Sequence, residues 1–169
     1  KENILKFNKT KHRGVDNSEF IEINRYGKIF LGHHRLSIND LSKKANQPLK
    51  SKCENYIILF NGEIYNFKEL SKNISDISNP NSDTNVILEG YIQYGLNFFK
   101  KIESFFSIVL LDLIEDKIII TCDPTSYKSI YYKQSKNNFS LASELSSITT
   151  SKNEILKNIR KIGLQIYFQ

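Results

Sequence analysis

No apolar stretch in this 169-residue chain approaches the length of a membrane span. The longest, Phe105 to Leu111, has the length of a strand and is broken by Ser107. Nothing near Lys1 reads as a secretory leader. Cysteine is scarce: Cys53 and Cys122 only, without metal-ligand spacing, which points to reduced thiols in a cytoplasmic protein. Cys122, inside an apolar run, is expected to be a buried thiol. Linkers, repeats and low-complexity tracts are missing as well. Arginine is rare, with Arg13, Arg25, Arg35 and Arg160 set among many lysines. The net charge of +6 therefore comes from scattered Lys without an aromatic-interleaved stripe, and a nucleic-acid-binding role is disfavoured. What is present, 40% hydrophobic and 12% aromatic residues, suits one globular domain over 1–169 with a real core.

The pattern predicts mostly strands with helices between and after them. Asn3 to Lys9 reads as the tail of a helix, Phe20 to Ile23 as a short strand, and Lys28 to His33 as a second strand after a turn at Tyr26-Gly27. Tyr56 to Phe60 is apolar on both faces and reads as a buried strand, followed by a helix over Ile64 to Ile74. Ser82 is a good N-cap for a helix that runs to about Tyr94 and stops at Gly95, with Asp83 in its first turn. Phe105 to Leu113 and Lys117 to Cys122 read as buried strands joined by a turn at Ile114 to Asp116. A hairpin over Ser129 to Lys133 and Asn138 to Ala142 follows, then a helical stretch from Glu144 with a break near Ser151. Buried antiparallel hairpins with interspersed helices give an α+β chain of sheets sandwiched by helices.

One segment stands out. Residues 57–67 form an apolar run that stops at Asn61-Gly62-Glu63 and restarts as a new element. A side-chain amide and a backbone N–H at a strand tip are the two donors an oxyanion needs during acyl transfer. Asn-Gly alone is more often a hairpin turn. His33 and His34 are adjacent on a strand, so their side chains take opposite faces, and no acidic or thiol cluster completes a metal site with them.

Other segments tip the balance. His12-Arg13-Gly14-Val15-Asp16 resembles the His-Arg-Gly-Pro-Asp motif of class II glutamine amidotransferases. Gly32-His33-His34-Arg35-Leu36-Ser37-Ile38 resembles the Gly-His-x-Arg-Leu-Ser-Ile motif of their asparagine synthetase branch. Phe60-Asn61-Gly62-Glu63-Ile64-Tyr65-Asn66 matches that branch without a change. Ser82-Asp83-Thr84 with Val86-Ile87-Leu88, and Ala142-Ser143-Glu144, are similar to two further segments. The resemblance runs in order from Lys11 to about Phe168. All three histidines, and two of the four arginines, fall inside these motifs.

The resemblance implies the αββα sandwich of N-terminal-nucleophile hydrolases, two mainly antiparallel sheets between helical layers. It also implies hydrolysis of L-glutamine to glutamate and ammonia. In that family the nucleophile is an N-terminal Cys whose own α-amino group, titrating near pH ~8, is the base. This chain begins with Lys1, and neither Cys53 nor Cys122 carries a free amine. The expectation is a sequence truncated at both ends, inactive alone. Its last residues, Leu164 to Gln169, resemble the crossing into an ATP-using synthetase domain. By the same resemblance Asn61 and Gly62 form the oxyanion hole, and Arg35 grips the glutamine α-carboxylate with a planar fork. Glu63 and Asp83 hold the ammonium group, and Leu36 and Ile38 line the pocket. No metal or cofactor is implied in this domain; ATP and magnesium would belong to the synthetase domain, which is the implied partner along with a second copy in a homodimer.

Several positions depart from the family pattern. Val15 replaces Pro, Ser104 stands for Gly, Thr121-Cys122-Asp123 replaces Ala-Arg-Asp, and Ser126 and Ser129 replace a Gly and a Pro. Lys128, Tyr131 and Tyr132 are kept. These changes lie away from the glutamine clamp. Two alternatives stay open: an amidotransferase domain serving a sugar or surface-polysaccharide acceptor, and a non-catalytic domain that has lost its nucleophile. The branch with Trp-Ala-Thr where this chain has Leu36-Ser37-Ile38 is disfavoured.

Overall fold

The computed structural model describes residues 2–25, 27–36 and 45–149. Contacts divide the chain into two compact units, residues 11–129 and residues 1–10 with 130–169. In the larger unit a turn of 3-10 helix, Lys11–Arg13, leads into the antiparallel pair β1 (Asn17–Asn24) and β2 (Lys28–Arg35). A four-stranded antiparallel sheet has the order β3-β4-β5-β6, from β3 (Leu49–Lys50), β4 (Tyr56–Ile64), β5 (Ser104–Asp112) and β6 (Lys117–Cys122). Between β4 and β5 lie α2 (Phe67–Ser71), α3 (Asp83–Tyr94) and a 3-10 segment, Gly95–Lys101.

Period-two alternation sorts the apolar residues of β4 and β5 into two cores. Ile58, Phe60, Phe106, Ile108 and Leu110 meet Val86, Ile87 and Tyr91 of α3, Leu70 of α2 and Phe98 in one cluster. Ile57 and Leu111, on the opposite face, meet Leu31 of β2, with Ile21, Ile23, Ile29, Leu59 and Val109 around them. This unit therefore stacks as helices, sheet, sheet. Ile58, Ile87, Ile108 and Leu110 are fully enclosed, and burial of such a side chain contributes about 1.5–3 kcal/mol. Tyr91 Oη donates to Asp112 Oδ2 at 2.8 Å, fastening α3 to the end of β5. Gly90 lets α3 lie against Phe98, whose ring would sit 2.3 Å from any Cβ there.

The smaller unit holds α1 (Glu2–Asn8), the hairpin β7 (Tyr131–Gln134) with β8 (Phe139–Ala142), and a 3-10 turn at Leu145–Ser147. Lys9 Nζ donates to the Ser146 carbonyl at 2.9 Å.

The chain is α+β with antiparallel sheets, as its pattern predicts. Ser82 caps α3, its hydroxyl accepting the Asn85 N–H at 3.4 Å. Four expectations need correction. The strand read as Tyr56 to Phe60 continues to Ile64, because β5 pairs with it residue by residue down to Ser104. The helix read over Ile64 to Ile74 shrinks to Phe67–Ser71: Ile64 belongs to the strand, and Asn66 turns the chain by bonding the Lys101 carbonyl and the Glu103 N–H. Strand β6 is an edge strand, and only its Ile119 packs toward the helices; Ile118 and Ile120 are exposed. Cys122, at the end of that edge, is an exposed thiol with Sγ 3.4 Å from Ser126 Oγ. The expected turn at Tyr26, pocket residue Ile38 and the helix beyond Thr149 lie outside the described residues.

Candidate functional site

The outer edge of β4 organises the site. In an antiparallel ladder alternate residues turn their backbone groups toward one neighbour or the other. Phe106 gives both its backbone groups to Asp123, donating to Oδ2 at 3.1 Å and accepting the Asp123 N–H at 3.0 Å. Its partner Gly62 therefore points its N–H away from β5, as do Phe60 and Ile64. Strand β3 stops at Leu49, opposite Ile58, so it reaches none of the three. Side chains take two of them. Phe60 N–H donates to Gln47 Oε1 at 2.6 Å, and Ile64 N–H donates to the Asp83 carboxylate. Between them the Gly62 N–H has no backbone acceptor among the described residues.

Gly62 is required here for two reasons. Its φ of 157° lies where side chains are strained, and a Cβ would come within 2.6 Å of the Phe105 carbonyl oxygen. Asn61-Gly62 is thus an interior strand distortion rather than a hairpin turn. Asn61 faces Ser107 across the ladder.

Asp83 opens α3 and sits beside this edge. Its carboxylate accepts the Thr84 N–H at 2.7 Å and the Ile64 N–H. Burial pushes its pKa up, the two N–H groups pull it down, and the nearby charge of Glu63 pushes it up again. Carboxylates that repel one another in this way favour a cation nearby. The first-turn hydrogen bonds of Asp83 and a ligand role are compatible, since a carboxylate has two acceptor oxygens.

Arg35 ends β2. Its Nη1 donates to Asn46 Oδ1 at 2.8 Å, Asn46 Nδ2 donates to Glu19 Oε1 at 3.0 Å, and Asn17 Nδ2 donates to the same oxygen at 3.1 Å. The His12-Arg13-Gly14 segment buttresses this strand end: a Cβ on Gly14 would lie 2.3 Å from the His34 carbonyl carbon, and the Asp16 N–H donates to the Arg35 carbonyl at 3.1 Å. His33, two residues before Arg35 and on its face, donates to the Phe60 carbonyl, tying β2 to β4. Burial pushes the His33 pKa down to about 4, so the ring is neutral. His34 takes the other face, Nδ1 2.8 Å from Ser18 Oγ. Leu36 follows Arg35 and is exposed.

The structure therefore gathers Asn61, Gly62, Glu63 and Asp83 at one strand end, and links Arg35 to the same strand through His33. Sequence reading missed Glu19, Asn46, Gln47 and Thr84. Thr84 lies inside the Ser82-Asp83-Thr84 match without a role assigned to it; for the others the one signal available was the amide pair Asn46-Gln47 ahead of Pro48, which taken alone reads as a loop.

Compared with known proteins, residues 2–169 match the glutamine amidotransferase domain family. The chain belongs to that family. Among curated relatives this amidotransferase domain is 33% identical to Bacillus subtilis asparagine synthetase (glutamine-hydrolyzing) 1, over 92% of the domain and 24% of the relative. It is 36% identical to Lotus japonicus asparagine synthetase (glutamine-hydrolyzing) 1, over 72% and 20% respectively. It is 32% identical to the Gibberella zeae protein named Amidase chry2, over 80% and 20%. The chain spans about a fifth to a quarter of the length of these three relatives. Among the described residues no helix is long and apolar enough to cross a membrane.

Proposed function

We propose that this domain binds L-glutamine and hydrolyses its side-chain amide, and that the ammonia serves ATP-dependent amidation of aspartate in a synthetase domain of the whole protein. The observation that carries the reading is the Gly62 N–H, without a backbone acceptor among the described residues and flanked by two claimed neighbours on the β4 edge. A donor held in place by the ladder costs no reorganisation when an oxyanion forms, and the Asn61 amide is the second donor. Glu63 and Asp83 receive the α-ammonium group, which relieves their mutual repulsion. The Arg35 fork receives the α-carboxylate, with Leu36 and Ile38 against the aliphatic part of the substrate.

Attack requires a thiolate, in this family that of an N-terminal cysteine with its own amine as base. Cys53 and Cys122 are exposed mid-chain residues and are not given that role. The domain itself needs no metal or cofactor for this step; ATP and magnesium would serve the synthetase domain. A different acceptor is the second reading, favoured by the match to a relative that does not carry the asparagine synthetase name.

The test compares glutamine- and ammonia-dependent amidation in a form bearing the N-terminal cysteine and synthetase domain. Arg35→Lys is expected to weaken the glutamine-dependent reaction and leave the ammonia-dependent one intact, because a Lys ammonium cannot form the paired bonds. An equal fall in both reactions would make Arg35 structural.

A further inference from the structure

We propose that Asn46 and Gln47 are positioning residues which set the two halves of the site against each other; this rests on the glutamine reading above. They are neighbours in the segment before β3, yet their side chains act on different strands. Asn46 holds the Arg35 guanidinium at 2.8 Å, and Gln47 holds the Phe60 N–H at 2.6 Å. The second half of each amide fixes its orientation: Asn46 Nδ2 donates to Glu19, and Gln47 Nε2 donates to Thr84 Oγ1 at 3.4 Å. The Thr84 hydroxyl is 3.3 Å from Asp83 Oδ1 and donates to it. One chain of hydrogen bonds thus runs from the ammonium end of the site, through Thr84 and Gln47, to the backbone beside Asn61. The preceding residue begins another, through Asn46 to Arg35 and Glu19.

The residue types fit the task. An amide oxygen accepts from a guanidinium without bringing a charge of its own, so Asn46 orients Arg35 without adding an anion to rival a substrate carboxylate. An Asp at 46 would bind Arg35 more strongly, compete with the substrate and face Glu19 at short range. Gln47 acts where β3 has ended. Its buried carbonyl oxygen takes the Phe60 N–H that a longer strand would have taken, and leaves Gly62 as the edge donor without a backbone acceptor among the described residues.

The experiment uses the 169-residue chain and L-glutamine itself, with affinity from calorimetry, melting temperature, and the amide resonances of Phe60 and Gly62 in 15N-labelled protein. Asn46→Ala removes one hydrogen bond to a charged group, and glutamine affinity is expected to fall about tenfold to a hundredfold. The Gly62 resonance should stay in place. Asn46→Asp should also weaken binding, despite retaining an acceptor for Arg35. Gln47→Ala should shift both amide resonances and lower affinity. If Gln47→Ala fails to fold, Thr84→Val keeps the Phe60 bond and breaks only the far end of the chain; it should give smaller changes of the same sign, and Thr84→Ser should restore wild-type values. Wild-type binding with unaltered affinity in Asn46→Ala and Asn46→Asp would overturn the inference and leave the glutamine reading standing. Affinity losses that follow melting temperature alone, with Phe60 and Gly62 unmoved, would overturn it too. No glutamine binding by the wild type would overturn the glutamine reading and this inference with it.

Discussion

The imidazole of His33 donates to the Phe60 carbonyl, and its Nδ1, also out of solvent, has no hydrogen-bond partner among the described residues. Burial is the main reason its pKa falls from 6.5 to about 4. The unfolded chain takes up a proton near pH 6.5 while the folded one does not, so His33 costs nothing above that pH. Stability is lost as pH falls from 6.5 toward 4, by about 3 kcal/mol at full extent. Glutamine at this position keeps a donor for Phe60 and cannot titrate. Urea unfolding at pH 7 and pH 4.5 should therefore show a smaller loss for His33→Gln than for the wild type. Asp83 and Glu89, whose pKa values burial raises, act in the opposite direction and are common to both proteins. A catalytic expectation also belongs at this scale. In the form that carries the N-terminal cysteine, Asn61→Ala should lower turnover about a hundredfold to a thousandfold with little change in glutamine affinity. A lower melting temperature with normal turnover would return Asn61 to a purely structural role. The positions of Arg35, Asn61 and Asp83 were legible because each sits inside a run of motif residues. Asn46, Gln47 and Glu19 were not: their meaning depends on which strand each amide or carboxylate reaches, and spacing along the chain does not report that.

Strands and helices were legible where periodicity was strong, and misread where one residue type carried two meanings. Helix α3 has its cap at Ser82 and its stop at Gly95 as expected. For β4 the Asn-Gly pair signalled a turn, but pairing with β5 overrode that local preference and carried the strand to Ile64. Conversely, β6 carries apolar residues on both faces yet lies at the sheet edge, which composition alone does not reveal. Two departures from the family pattern now have a local account. The Ser104 hydroxyl donates to the Glu63 carbonyl at the end of the β4–β5 ladder. Ser126 adopts a positive φ of 52°, the conformation for which Gly is suited. Gly14 gives the clearest element-scale test. Its missing Cβ leaves room for the peptide between His34 and Arg35, so Gly14→Ala must push β2 away. A loss of about 1–3 kcal/mol is expected, together with weaker glutamine binding, because Arg35 moves with its strand. Denaturant unfolding and calorimetry on the same sample check both; unchanged affinity at reduced stability would separate this motif from the clamp.

Across the molecule, the larger unit already holds the described site residues, on β2, β4 and the first turn of α3. The 169-residue chain is therefore expected to bind L-glutamine without releasing glutamate, since neither of its cysteines carries an amine of its own. Glutamate release above a protein-free blank, abolished by Arg35→Ala, would show that another group can attack. In the proposed function glutamine sits at the β4 edge, with Gly62 N–H facing its amide carbonyl and Arg35 its carboxylate. An L-glutamine titration followed by 15N–1H correlation spectra tests it directly. The Gly62 amide and the Arg35 Nε–H are expected to shift together, saturably and with one dissociation constant, and Arg35→Ala to abolish both responses. Saturable shifts confined to other residues, with Gly62 and Arg35 unmoved, would contradict it.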